Sequence, residues 1–446
     1  MKKPEHPPSR SISDEEGKMI LDLLSNPEEI EDVYKVEVDY PYWDKFKVKT
    51  KDHKFESRLL WKFMKLNRNR SISRLQISKV NGFDFVYNTP RNVQEWLHQF
   101  DLNLGGTLEG KSIVPEKEKE RYLISSLMEE AIASSQLEGA VTTREVAKNM
   151  LRESRKPKNH SERMILNNYL TIREILKYQD QKLTPELILR LHEIVTRETL
   201  DDANNEGRFR TNNDVKVVDH ITGEVFYTPP DCIHLDQLMN DFCYFANAEG
   251  SQEFIHPIIR GIILHFLIGY IHPFVDGNGR LARTIFYWYL IKKGYWLIEF
   301  MSISRIIIRS PSQYARAYLF TEYDGNDLTY FIDFNLKSMD LALKSLKEYI
   351  KRKQQEKHQL FELIKSGNFN ERQAEVIKQV LIKGDQSLTF NEIQSKFGIT
   401  YQTARTDLLD LEVKGYLISK AIGKKFRFYK SDQFEEKIKS IGNLAS

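Results

Sequence analysis

The chain reads as a mainly α-helical protein with short β-hairpins, and three observations predict that class. Apolar residues recur at helical spacing through residues 160–200, 233–247, 256–270, 280–293 and 327–345. Strand-like alternation is confined to short pieces, chiefly 215–219 with 224–227 and 417–419 with 426–429. At 446 residues the chain is long enough for two or three domains with proper cores. Its organisation divides into an α+β extension over residues 1–100, a helical core over 101–345, a charged helical connector over 346–366 and a terminal domain over 367–435.

The first part opens acidic, from Asp14 to Glu37, and turns basic and aromatic from Tyr40 to Arg74. Aromatics interleaved with lysines, as in Trp61, Lys62, Phe63 and Lys65, predict a half-buried sheet there, with a partner or nucleic-acid surface as the alternative. No chemical motif appears in this part. Composition sets broad limits as well: 66 basic against 63 acidic residues leave a net charge of +3, which gives no chain-wide signal for nucleic acid or membrane. Two cysteines, Cys232 and Cys243, cannot make a disulfide framework and point to a reducing compartment. The opening MKKPEHPPSRSISDEEGK lacks the apolar segment of a signal peptide. The longest apolar stretch, near Ile258 to Ile271, contains Arg260 and His265 and is too short to span a bilayer, so a cytoplasmic location without a membrane partner is expected.

Chemistry concentrates in His272 to Arg283, HPFVDGNGRLAR. Gly277 and Gly279 permit backbone angles closed to other residues and let a ligand approach the main chain, while Asn278 between them tolerates left-handed geometry and offers an amide donor. From Arg280 onward Leu281, Ile285, Phe286, Tyr289 and Leu290 mark one buried helix face, with Gly294 as a stop. The loop therefore sits on a helix N-terminus, whose free N–H groups and dipole favour phosphate. Arg280 and Arg283 project from neighbouring points of the first turn and are expected to fork onto different phosphates. His272 has an imidazole whose ordinary pKa suits a base at neutral pH, and Asp276 is the one carboxylate able to hold Mg²⁺ against phosphate oxygens. Phe274 is a core anchor. A plain turn with solvated arginines is the bland reading, and a zinc site from His256, His265 and His272 is a competing one. Against zinc, His265 falls on an apolar helix and no HExxH or cysteine pair accompanies it.

These twelve residues match, at every defining position, the signature HPFx(D/E)GN(G/K)RxxR, and on them the chain resembles the Fic (Fic/DOC) domain family. The resemblance implies a helical Fic-type core and transfer of AMP from ATP, with Mg²⁺, onto a Ser, Thr or Tyr hydroxyl of a target protein. It implies that His272 activates that hydroxyl, that oxygen attacks the α-phosphate, and that Arg280 and Arg283 hold the departing pyrophosphate. Upstream, Ser134 to Gly139 reads SSQLEG and resembles the family's inhibitory pattern (S/T)xxxE(G/N), with Ser134 and Glu138 in the defining places. Residues 116–137 read as a helix stopped by Gly139, so Glu138 ends a helix, where the dipole disfavours a carboxylate and a nearby cation is needed. The family supplies that cation as the second signature arginine, here Arg283, and the resemblance implies an N-terminally inhibited protein. A solvated glutamate at a frayed end is the alternative.

Gly207 to Thr211, GRFRT, precedes the predicted hairpin. Family members place a flap there that clamps the target by strand-like backbone contacts, which gives Val215, Lys216, Val217 and Val218 that role, with Pro229 and Pro230 as the closing proline pair. Tyr314 resembles a position near the nucleotide base, although Ala315 stands where a second tyrosine is usual.

In the terminal domain, 371–382 is an amphipathic helix, Thr389 and Glu392 make a capping box for a second, and a third starts at Thr400. With the hairpin around Gly423 this resembles a winged helix-turn-helix module. Tyr401, Gln402, Thr403, Arg405 and Thr406 would open its recognition helix, and Lys424, Lys425 and Arg427 would lie on its wing. Eleven Lys/Arg against seven Asp/Glu over 371–430 is a weak DNA footprint. Three readings stand: an autoinhibited AMP transferase, the reverse removal of AMP at the same site, and a nucleotide-sensing DNA-binding regulator. A homodimer is expected from the resemblance and the appended module.

Overall fold

The computed structural model describes residues 2–105, 119–218, 222–248, 254–367, 369–383, 387–422, 425–434 and 436–437. It divides into two compact units, Met1–Leu346 and Lys347–Ser446.

The first unit opens with helices α1 (Asp14–Leu24), α2 (Pro27–Glu37), α3 (Trp43–Lys49) and α4 (Ser57–Arg68). A capping box starts α1, with Ser13 Oγ accepting from the Glu16 amide and the Glu16 carboxylate accepting from the Ser13 amide. The sheet expected between Tyr40 and Arg74 is corrected here. Trp61, Lys62, Phe63 and Lys65 lie on α4, because Leu59, Leu60, Phe63 and Met64 repeat at the helical period and bury together against Trp43 and Phe46. Two short strands follow, β1 (Ser73–Gln76) and β2 (Asp84–Tyr87), paired antiparallel. β2 also meets the chain near Asp327, through the Val86 amide to the Asn326 carbonyl and the Leu328 amide to the Val86 carbonyl. The first hundred residues are thus built into the same compact unit as the helical core.

The core contains α5 (Arg91–Leu104), α6 (Lys119–Leu137), α7 (Arg144–Arg152), α8 (His160–Ile175), α9 (Pro185–Thr196), the hairpin β3 (Val217–Val218) with β4 (Val225–Tyr227), then α10 (Leu235–Asn247), α11 (Pro257–Ile271), α12 (Asn278–Lys292), α13 (Ser304–Ile307), α14 (Pro311–Tyr323) and α15 (Thr329–Gly367), which belongs to this unit as far as Leu346. Side-chain oxygens of Thr143, Asn159 and Thr184 cap α7, α8 and α9. α11 and α12 are buried on nearly every face and pack against each other, which makes them the centre of the unit. The loop between them, residues 272–277, lies against α9, where His192 bonds the Asp276 carbonyl and stacks on Phe274.

The second unit packs α16 (Glu371–Lys383), α17 (Phe390–Phe397) and α18 (Tyr401–Val413) with an antiparallel hairpin, β5 (Leu417–Ile422) and β6 (Lys425–Lys430). The capping box of Thr389 and Glu392 is present, and Gly398 closes α17 at φ 63°. Ile377, Ile393, Ala404, Leu408, Leu411 and Phe428 form its core.

Candidate functional site

His272 closes α11 in the left-handed conformation, φ 49° and ψ 58°, a position glycine or asparagine usually takes. Its Nδ1 lies 3.1 Å from the Gly269 carbonyl oxygen, which can only accept, so Nδ1 carries the proton and Nε2 is the free base. Burial lowers the imidazole pKa, partly offset by the Gly269 bond and by Glu138, which keeps the ring neutral at physiological pH.

Next come the two glycines. Gly277 caps α12 at φ 83°, and a Cβ there would also lie 2.8 Å from Thr196 Cγ2. At Gly279 a Cβ would fall 2.1 Å from Glu138 Oε1, so the carboxylate occupies the space glycine leaves over the first turn of α12. The Asn278 side-chain amide donates to the Phe274 carbonyl at 2.9 Å and its oxygen accepts from the Phe274 amide at 3.0 Å, so it fastens the loop to itself.

The two arginines part company. Arg283 is buried and donates from Nε to Ser134 Oγ at 2.8 Å and from Nη2 to the Ser134 carbonyl and Glu138 Oε1, each at 2.9 Å. Burial works against its charge, and Glu138 outweighs that, leaving the guanidinium pKa raised. Ser134, Glu138 and Arg283 therefore meet, with Gly139 ending the α6 turn at φ 95°. Arg280 does not join them in the cavity wall; it is wholly buried, with Nη1 on the Val195 carbonyl at 2.8 Å and Nη2 on Asp276 Oδ2 at 3.3 Å. Its pKa is lowered by burial. Each arginine keeps one buried nitrogen, Arg280 Nε and Arg283 Nη1, with no hydrogen-bond partner among the described residues.

A cavity of about 210 Å³ joins these groups, walled by Glu138, His272, Gly279 and Arg283 on one side and by Val217, Phe226, Tyr227, Tyr314, Tyr318 and Glu322 on others. Tyr314 lines the cavity, its hydroxyl 2.7 Å from His265 Nε2. Of the expected hairpin residues Val217 reaches the wall, Val218 pairs with Val225, and Val215 and Lys216 precede the strand. Asp219, the expected end of that strand, lies outside the described residues. A larger cavity of about 620 Å³ beside α4 and α5 contains none of the motif residues.

Asp276 is half exposed, with Oδ1 accepting from the Gly277 amide at 2.6 Å. A single half-exposed carboxylate is a ligand that Mg²⁺, which keeps most of its waters, can take. The three histidines of the zinc reading are committed elsewhere: His265 to Tyr314, His256 to Asp101 at 3.1 Å, and His272 to Gly269. Among the described residues no group of three or more His, Cys, Asp or Glu is placed to hold a metal, and no helix is long and apolar enough to cross a membrane.

Sequence reading missed His192. Fully buried on α9, it accepts from the Gly207 amide at Nδ1, 3.0 Å, so its Nε2 bears the proton and donates to the Asp276 carbonyl at 2.9 Å. It stacks on Phe274 at 3.6 Å, and burial lowers its pKa to about 4. Nothing local signals this, since its partners lie 15 and 84 residues away. In the second unit Tyr401, Gln402, Arg405 and Thr406 are exposed at the start of α18 and Thr403 is half-buried. Lys425 begins β6 and Arg427 is exposed on it, while Lys424 lies outside the described residues.

Comparison with known proteins adds to this geometry. Residues 182–290 match the Fic/DOC family. The chain is 34% identical over 133 residues to protein adenylyltransferase Fic of Drosophila mojavensis, covering 29% of this chain and 25% of that protein. It is 32% identical over 138 residues to the protein of the same name from Nematostella vectensis, covering 29% of each. The chain thus spans about a quarter of the length of the curated relatives it matches. Among solved structures, a Fic family protein from Desulfovibrio desulfuricans G20 aligns with TM-score 0.46 and 18% identity over 76% of this chain and 95% of that one. Fic-1 of C. elegans aligns with TM-score 0.45 and 16% identity, covering 70% and 83%. The loop and helix start from His272 to Arg283 accordingly lie within the stretch, residues 182–290, that matches the Fic/DOC family.

Proposed function

We propose that the protein is an adenylyltransferase that moves AMP from ATP to a Ser, Thr or Tyr hydroxyl of a protein, and that Glu138 restrains it. The observation that carries this reading is a buried guanidinium nitrogen of a cavity-wall residue, Arg283 Nη1, without a hydrogen-bond partner among the described residues. An unsatisfied buried donor is costly, and an incoming phosphate group would satisfy it. The relatives named protein adenylyltransferase point the same way.

His272 Nε2 takes the proton of the target hydroxyl, whose oxygen then attacks the α-phosphorus as the bond to pyrophosphate breaks. Arg283 and the first-turn amides of α12 stabilise the charge gathering on the leaving group. Asp276 would hold Mg²⁺, which when bound neutralises phosphate charge. Val217 and Val218 present strand edges to the target backbone. While Glu138 occupies the space beside Gly279 and holds Arg283, the anion site is filled by the protein's own carboxylate. Keeping the competent state near 1% in this way needs about 2.7 kcal/mol, within reach of a hydrogen-bonded, partly buried pair.

The same reading makes the protein cytoplasmic and able to dimerise. The second unit reads as a winged helix-turn-helix module whose exposed Gln402 and Arg405, with Thr403, offer a face to DNA or a docking partner. That reading is supported by the exposed start of α18 and the adjoining hairpin.

Label transfer from α-labelled ATP with Mg²⁺ tests the proposal, comparing the intact chain with Glu138→Gly and with Glu138→Gly, His272→Ala. Self-modification should appear on the single variant and vanish on the double. Absence of label in all three despite measured ATP binding would defeat AMP transfer to self and favour removal of AMP, for which Glu138 would be required.

A further inference from the structure

Arg210 is buried and belongs to no part of the chemistry described above. Its main-chain amide donates to the Pro273 carbonyl at 2.9 Å and its Nε to the His272 carbonyl at 3.0 Å, so one residue holds two consecutive carbonyls of the loop that follows α11. The other end of the guanidinium grips both stems of the hairpin. Nη1 donates to the Asn212 carbonyl at 2.8 Å and to Asn213 Oδ1 at 3.0 Å, and Nη2 donates to the Pro230 carbonyl. Asn213 Oδ1 also accepts from the Cys232 amide at 2.8 Å, which draws the returning stem to the same point.

All of these hydrogen-bond acceptors are neutral. A buried cation without a hydrogen-bonded carboxylate is poorly explained by charge pairing, and it is well explained by the need for a planar fork that reaches several fixed carbonyls at once. Lysine carries one nitrogen and cannot span from His272 to both stems. The demand on this fork is specific, because His272 is a non-glycine residue held at φ 49°, a conformation that persists only where the surroundings over-determine it.

We propose that Arg210 is a positioning residue that ties the β3–β4 hairpin to His272, so that engagement of a protein segment on the hairpin and alignment of the imidazole are one event. The inference rests on the adenylyltransferase reading for its consequence in catalysis, but its structural content does not. The experiment therefore has two arms. Hydrogen exchange on the intact chain compares wild type with Arg210→Gln, Arg210→Lys and Asn213→Ala. Faster exchange should appear together at residues 217–218, 222–227 and 272–277 in both Arg210 variants, and more weakly in Asn213→Ala, with ATP affinity within about twofold of wild type. In the Glu138→Gly background, single-turnover label transfer should fall on the order of 100-fold for Arg210→Gln and equally for Arg210→Lys, the scale of a misplacement near 1 Å. Recovery by Arg210→Lys would show that only the charge matters and would overturn the proposal. Exchange that rises in the hairpin alone, with residues 272–277 unchanged, would overturn it as well. If Glu138→Gly transfers no label, the exchange arm still decides the coupling, and it is the adenylyltransferase reading that fails.

Discussion

Around Lys65 and around Arg283 the first unit buries charge in two different ways. Lys65 Nζ lies 2.7 Å from Asp324 Oδ2 and 3.3 Å from Asp327 Oδ2, Tyr40 and Tyr330 donate to the same two oxygens, and Arg10 reaches Asp324 from outside. Beside them Arg68 forms a two-pronged pair with Glu37 and also bonds Tyr330 and the Pro41 carbonyl. Three cations face three carboxylates, and the acids are held by additional donors. The cluster at Arg283 is unfinished by comparison: Glu138 is a quarter exposed, and Arg283 Nη1 and Arg280 Nε have no partner among the described residues. A network that only joins elements is closed, whereas the proposed anion site keeps a donor in reserve.

The sharpest way to break that contrast is to cut each network. Lys65→Met leaves Asp324 and Asp327 short of a buried cation, and unfolding in denaturant should show a loss of about 3–5 kcal/mol. ATP affinity of the folded fraction should stay within about twofold, because no residue of this network lines the cavity. A large change in nucleotide binding would show that the Lys65 cluster is not merely structural.

Glu138→Gly is the matching cut on the other side. It should raise ATP affinity by up to about 100-fold, equivalent to the 2.7 kcal/mol restraint, while stability without ligand moves far less than for Lys65→Met. Isothermal titration with and without the substitution measures the first, and thermal melts the second. Bound ATP should then raise the melting temperature of the variant more than that of the wild type. Equal affinities would remove Glu138 as a competitor for the anion site.

The same contrast governs what could be read in advance. Glycines, a base and arginines packed into one short run mark a candidate site locally, whereas Ser134 and Glu138 stand out through their resemblance to a family pattern, with only the helix stop at Gly139 legible in the residues themselves. The closed network has no local mark, because Lys65 and Asp324 are 259 residues apart and each looks like an ordinary surface charge. Interleaved aromatics and lysines on α4 imitate strand alternation, and only the burial of Leu59, Leu60, Phe63 and Met64 together reveals the helical period. Arg280 and Asn278 were legible as motif members but not in their destinations, since both turn inward to bonds supplied by Val195, Asp276 and Phe274. Arg210 was visible only as part of GRFRT.

A third cut separates the two kinds of burial by pH. His192, buried and neutral beneath the loop, has its pKa lowered to about 4. The unfolded chain takes up that proton near pH 6.5, so stability present above about 6.5 is lost as pH falls and is fully lost only below about 4. At pH 5 the loss is about 2 kcal/mol. His192→Gln can still accept from Gly207 and donate to Asp276 but does not titrate. Denaturant unfolding between pH 7 and 4 should show a shallower acid decline for the variant, even if it starts lower for want of the stack on Phe274. Parallel declines would mean that the histidine does not carry the acid sensitivity.

Glu322 gives the smallest expected effect and has the opposite sign. It lines the cavity, and burial raises its carboxyl to about 8. A raised folded pKa favours the fold below the unfolded value and loses that contribution as pH rises through about 8. The side chain keeps some solvent contact, so the full shift should not be counted as stability. Glu322→Gln should match wild type at pH 5 and melt higher at pH 9. Above pH 8 the wild-type carboxylate also adds negative charge to the cavity wall, so ATP affinity should decline there in wild type and hold in the variant. A variant that tracks wild type in both measurements would show that the carboxyl is already ionised at neutral pH and that the cavity is wetter than its apolar walls suggest.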